Sequence, residues 1–151
     1  MHAHNNFHDI IFYTVSMIKA CFNYTTHSEG WRNINQTLST TIIQPNTTSC
    51  DAKYLTDGEW HRFTGQAGTK LYTQCPDTKN ICGTKSPGWV EENGENESGS
   101  IGVSKIALLH FNSHYCAADF GSVEIMDCGS FTTYKFLKIP YWSCDYGLCT
   151  M

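Results

Sequence analysis

Three groups of side chains in this 151-residue chain have types and spacing that chemistry would need. His110-Phe111-Asn112-Ser113-His114-Tyr115-Cys116 places two imidazoles and a thiol close together, and these are ligand types for zinc. Cys50-Asp51 together with His61 supplies the parts of a cysteine nucleophile: a thiol, a base and an orienting carboxylate. The Met1-His2-Ala3-His4 start offers an amine and imidazoles of the kind that bind Cu(II) or Ni(II), provided Met1 is the mature end. The surroundings weaken each one. His110 and His114 would share a face only on a helix, whereas the local pattern is a strand running into a loop. Recruiting Cys50 or Cys116 would leave seven of the 8 cysteines, an odd number. Gly65-Gln66-Ala67-Gly68 resembles a piece of a phosphate loop but lacks the following Lys-Ser/Thr, so it reads as a turn. Glu91-Glu92 opens a Gly/Asn/Ser-rich stretch, where a general acid–base pair would not be held in place. The expectation is a protein without a catalytic residue, a metal or a cofactor.

The cysteines carry a different message. They stand at Cys21, Cys50, Cys75, Cys82, Cys116, Cys128, Cys144 and Cys149. No C-x-x-C occurs, and the close pairs Cys75–Cys82 and Cys144–Cys149 are spaced too widely for a zinc ribbon. An even count at this density predicts four disulfides in an oxidising compartment. Spacing leaves the pairing open, with on the order of a hundred connectivities. Four N-x-[ST] acceptors, at Asn23, Asn35, Asn46 and Asn96, point to the same compartment as candidate N-glycosylation sites. A net charge of −4 with no basic patch excludes a general nucleic-acid binder. An apolar content of 40% excludes a highly charged disordered chain.

The elements that must position these residues are short and extended. Trp60–Thr64 alternates large and polar residues, Leu71–Thr73 resumes an extended run, and Ile101–Phe111 reads as a buried strand. Ser122–Cys128 and Phe131–Ile139 are also strand-like. Gly65 and Gly68 mark turns, and Cys82–Trp89 reads as turn-dense. No stretch sustains a capped helical period. The fold class is therefore all-β: small, loop-rich, disulfide-stabilised, with little helix. Trp60, Trp89, Tyr134 and Phe136 are expected to cover bridges and build the core, and Trp31 and Trp142 are the candidates for a surface platform. The apolar run Ile10–Ile18 is too short to span a bilayer, which takes about 20 residues, so no transmembrane segment is expected. It has the length of a leader's apolar region, and Ala20 would suit the last residue before cleavage. Lys and Arg are absent before it, however, and Asp9 abuts it. Residues 1–20 are accordingly set outside the domain, as an atypical leader or a truncated or misassembled start.

Taken in order, the motifs resemble a known family. Trp60-His61-Arg62-Phe63-Thr64-Gly65-Gln66-Ala67-Gly68-Thr69-Lys70 is similar to the W-Y-R-F-x-G-x-A-G-T signature of the uromodulin-type eight-cysteine extracellular domain. Cys82-Gly83-Thr84 with Pro87-Gly88-Trp89 resembles that family's C-G-T-x-x-P-G-W, and Cys128-Gly129 through Phe131, Tyr134 and Phe136 resembles a later motif. Cys21-x-Asn23-Tyr24-Thr25, Trp31-Arg32 and Cys50-Asp51 resemble its start, and Pro140, Cys144, Tyr146 and Cys149 its close. The resemblance runs from Cys21 to Cys149 and places the domain at 21–149. Leu108 and Tyr115 stand where family members often carry two further cysteines, which suggests one bridge lost as a matched pair. The loop after Trp89 carries an inserted acidic stretch, so the Asn96 sequon is not matched to a family glycan. The resemblance implies a secreted, non-catalytic glycoprotein module. Its partner would be an extracellular protein or a glycan-binding protein, including microbial lectins captured by its sugars. The alternative is a structural spacer in a larger matrix or mucus protein, and a small secreted enzyme is the remote third reading.

Overall fold

The computed structural model describes residues 7–35, 51–78, 81–84, 86–91, 101–109, 116–137 and 146–151. A helix α1 (Phe7–Phe22) leads into strand β1 (Thr25–His27), a 3-10 turn at Gly30–Arg32 and a one-turn helix α2 (Asp51–Tyr54). Strands β2 (Trp60–Phe63), β3 (Ser86–Glu91), β4 (Ile101–Leu109), β5 (Cys116–Asp127), β6 (Thr132–Phe136) and β7 (Tyr146–Leu148) follow. The seven strands form one mixed sheet in the order β1-β2-β6-β5-β4-β3-β7. The pairs β2–β6, β6–β5, β5–β4 and β4–β3 are antiparallel. The two edge strands, β1 on β2 and β7 on β3, are parallel to their neighbours. The protein is thus all-β and disulfide-stabilised, with little helix.

Register explains the core. His61 lies opposite Tyr134, and Tyr134 and Phe136 lie opposite Ile125 and Val123. Because side chains alternate with period two, His61, Phe63, Tyr134, Phe136, Val123 and Ile125 share one face. Phe63, Tyr134, Phe136 and Val123 pack there with Leu55, Ala67, Leu71, Val90 and Leu148. The opposite face holds Trp60 and Met126, covered by Ala20, Cys21 and Tyr24 from the chain's first elements. Trp89 forms a third cluster with Tyr72 and Cys75. All four rings, Trp60, Trp89, Tyr134 and Phe136, are therefore core residues, but only Trp60 (on Cys21 and Cys128) and Trp89 (on Cys75) pack against cysteines.

Two segments differ from the sequence reading. Cys82–Trp89 is a tight turn followed by a strand. Cys82 and Gly83 take positive φ (54° and 66°), after which Ser86–Glu91 enters the sheet. Pro87 is tolerated because the antiparallel ladder with β4 begins only at Gly88, so the missing N–H falls near the strand's start. The other difference is α1. It carries Val15, Met17, Ile18 and Phe22 largely exposed, while Ala20 in its last turn is buried against Trp60 and Met126. Val15, Ile18 and Phe22 recur at i, i+3 and i+7 on one side of the helix, but that stripe is exposed and the apolar residue buried on the sheet is Ala20.

Candidate functional site

The buried polar residues are not scattered. Arg32 is fully buried at the end of the Gly30–Arg32 turn, and its Nη1 donates to Asp51 Oδ1 at the start of α2. Asp51 Oδ2 accepts from the Leu148 amide of β7 at 2.6 Å, so one carboxylate ties α2 to the sheet's far edge. The guanidinium also donates to Glu29 at 3.3 Å and lies 4.2 Å from the Trp31 ring centre, with Tyr54 and Phe63 at 5.7 Å. Trp31 is therefore half-buried in an internal stack, packed on Tyr54, and does not form an open platform. Trp142 lies outside the described residues.

The same network continues into two histidines. His27 Nε2 and His61 Nδ1 are 2.9 Å apart, and the Thr56 amide reaches His61 Nε2 at 3.2 Å. With Thr56 N–H donating to His61 Nε2, His61 Nδ1–H donates to His27 Nε2 and His27 Nδ1 faces Glu29 Oε1 at 3.6 Å; in the other tautomer His61 Nε2–H donates to the Thr56 carbonyl at 3.1 Å and His61 Nδ1 accepts from His27 Nε2–H. Both imidazoles are then neutral. Burial pushes the His27 pKa below its ordinary value, and the nearby Arg32 charge and His61 add to this against the opposing pull of Glu29. Burial likewise lowers His61. Asp51 and His61, two of the residues whose types suit nucleophilic catalysis, are thus locked into internal bonds with almost no solvent contact. Their partner in that scheme, Cys50, lies outside the described residues, as do His110 and His114. Cys116 is placed as the first residue of β5, opposite Leu109.

Cysteines pair across the sequence. Cys21 bonds to Cys128, tying the end of α1 to the turn between β5 and β6. Cys82 bonds to Cys149, tying the β3 turn to the residue after β7. Cys75 is also disulfide-bonded, and no cysteine among the described residues is free. Cys144 and Tyr115 lie outside the described residues, and Leu108 is placed in β4 opposite Gly88 and Ala117.

The signature residues have identifiable work. Gly65 (φ 59°) and Gly68 (φ 80°) bound a 3-10 turn that receives the last residues of the chain. A Cβ on Gly68 would sit 2.4 Å from the Met151 carbonyl oxygen, which itself accepts the Thr69 amide at 2.9 Å. Buried Ala67 presents its carbonyl to the Thr150 hydroxyl. Arg62 projects to the other face, where its guanidinium stacks at 4.0 Å on Phe131 and donates to Tyr24 Oη at 3.0 Å. Sequence reasoning missed Tyr24, Phe131 and Lys135 as a group. Their signal was the alternation within Trp60–Phe63, which puts Trp60 and Arg62 on the face opposite His61 and Phe63.

Beside that stack lies an open cleft of about 390 Å³. Its walls include Lys19, Asn23, Tyr24, Glu59, Trp60 and Lys135. Lys135 pairs with Glu124 and sits 5.3 Å from the Trp60 ring centre. Asn23 is exposed at this cleft, and Asn35 is exposed beyond the Gly30–Arg32 turn. Asn46 and Asn96 lie outside the described residues. Among the described residues no helix is long and apolar enough to cross a membrane.

A sheet tied by long-range disulfides, with a buried ion pair beneath it, is the architecture of a cysteine-rich module. A family model for the uromodulin-like cysteine-rich domain matches residues 61–150, well over half of the chain. The chain belongs to this uromodulin-like domain family. The match starts one residue after Trp60, yet β1 extends the same sheet and Arg32 and Asp51 lie in the same buried network.

Proposed function

We propose that this chain is a secreted, non-catalytic module that displays N-glycans on a rigid scaffold and works through extracellular binding. The observation that carries the reading is the placement of Asn23 and Asn35. Both are exposed. Asn23 sits two residues from the Cys21–Cys128 bridge, and Asn35 follows a turn whose Asn33 donates to the Gln66 carbonyl at 3.2 Å. Sugars held on anchored backbone project in defined directions, and a pre-ordered scaffold loses little entropy when a partner binds. The partner is a carbohydrate-binding protein, including microbial lectins for which the module would act as a decoy. The domain proposed is 21–149, the eight cysteines form four bridges, and the sequons at Asn23, Asn35, Asn46 and Asn96 carry the sugars. The Asp51 and His61 side chains support a non-catalytic role, since both are consumed by internal bonds.

Mass spectrometry of material secreted from eukaryotic cells, with and without reduction and glycosidase treatment, tests this. The expected result is four bridges and occupied asparagines. An unglycosylated product with eight thiols would overturn it.

A further inference from the structure

Asn23 is one of the residues that line the cleft beside the Arg62 stack. We propose that the first sugar rings of the N-glycan on Asn23 fold back into the cleft between Tyr24, Trp60 and Lys135, so that the glycan is a packed part of the module at this site. The inference rests on the reading above that Asn23 is glycosylated. In that modification the Asn23 amide nitrogen attacks the anomeric carbon of a polyprenyl-diphosphate-linked oligosaccharide. A C–N bond forms, the carbon–diphosphate bond breaks, the diphosphate leaves and the nitrogen loses one proton.

Geometry favours seating over free rotation. Asn23 is itself one of the residues lining the cleft, so a sugar attached to it starts beside the cleft. The backbone around it is pinned on both sides. Cys21 is bridged to Cys128, the Asn23 amide donates to the Lys19 carbonyl at 3.0 Å, and Thr25 pairs with His61 in the sheet. The cleft's volume of about 390 Å³ lies at the lower end of small-ligand sites, suited to one or two pyranose rings.

The chemistry of the walls matches as well. A sugar presents an apolar C–H face and a rim of hydroxyls. Half-buried Tyr24 and the 8% of Trp60 left exposed offer an apolar edge to the former, and Lys19, Glu59 and Lys135 offer donors and an acceptor to the latter. A covalent tether makes the contact intramolecular, at an effective concentration on the order of millimolar. A contact too weak to hold a free sugar therefore suffices. Asn35 provides an internal comparison, because it is exposed and does not line this cleft.

The test uses the full glycosylated chain. Site-resolved mass spectrometry first establishes occupancy at Asn23 and Asn35. A time course of glycosidase release from the native protein then compares the two sites, and nuclear Overhauser contacts are sought between the Trp60 indole and the innermost sugar's acetyl methyl. We expect release at Asn23 to be at least about ten-fold slower than at Asn35 in the native state, equal rates after denaturation, and indole–sugar contacts that vanish in Thr25→Ala. An occupied Asn23 released as fast as Asn35, with no indole–sugar contact, overturns the seating alone. An Asn23 that carries no sugar overturns both the seating and the glycan-display reading at this position.

Discussion

Arg32 is the residue on which the interior turns. A fully buried guanidinium is tolerable only because Asp51 neutralises it, Glu29 accepts a further bond and three rings surround it. Arg32→Met leaves the Asp51 carboxylate buried without its cation and should cost about 3–5 kcal/mol in urea unfolding. The double variant Arg32→Met with Asp51→Leu should recover much of that loss, because no uncompensated charge remains. The histidine pair makes a separate prediction. His27 and His61 both titrate below the ordinary histidine value of 6.5 in the folded protein. Below that pH the unfolded chain binds protons that the folded chain refuses, so this contribution is full above about pH 6.5 and is lost as pH falls. Each imidazole adds up to about 1.4 kcal/mol per pH unit to the slope. Thermal unfolding between pH 7 and 5 should show a shallower fall in His27→Gln than in the parent. None of this was legible residue by residue. Arg32 stood beside Trp31 as a motif fragment, and only the fold shows that it is buried.

At the scale of elements, the glycines around the signature separate two causes of cost. Gly58 and Gly68 share φ +80°, but a Cβ on Gly58 meets nothing within 4 Å while one on Gly68 strikes the Met151 backbone. Gly58→Ala should cost only the left-handed penalty of about 1–2 kcal/mol. Gly68→Ala should cost clearly more, both from that clash and because ψ of −167° puts Gly68 in a region essentially reserved for glycine, and hydrogen exchange at the Thr69 and Lys70 amides, which donate to the Met151 carbonyl, should accelerate. The sequence announced the signature's turns correctly, and β2, β4 and β6 too, because alternation and glycine are local signals. It misread β3, since Pro87-Gly88 looks like a turn unless the ladder partners are known. It also missed α1, although Val15, Ile18 and Phe22 recur there at helical spacing.

For the whole molecule, the bridges close long stretches of chain. Cys21–Cys128 spans 107 residues and Cys82–Cys149 spans 67. In the chain-entropy account, a loop of either length restricts the unfolded state by about 4–5 kcal/mol. That is comparable to the total stability of a small domain, about 5–15 kcal/mol. Cys82→Ala with Cys149→Ala should therefore lower stability by about 4 kcal/mol in urea unfolding. The freed end should lose protection first at the Tyr72 amide, which donates to the Cys149 carbonyl at 2.9 Å.

The sequence by itself determined the family, the all-β class and the aromatic residues that enter the core. These are properties of composition, local period and motif order, and they need no knowledge of what meets what. The tertiary structure alone decided which cysteines pair among those described, that Arg32, Asp51, His27 and His61 form one buried network, and that Asn23 stands at the wall of a largely polar cleft with Tyr24 and Trp60. The physical reason is range. Each of these depends on contacts between residues tens of positions apart, from 19 between Arg32 and Asp51 to 107 between Cys21 and Cys128. Such contacts are set by strand register and burial, and spacing along the chain does not encode them.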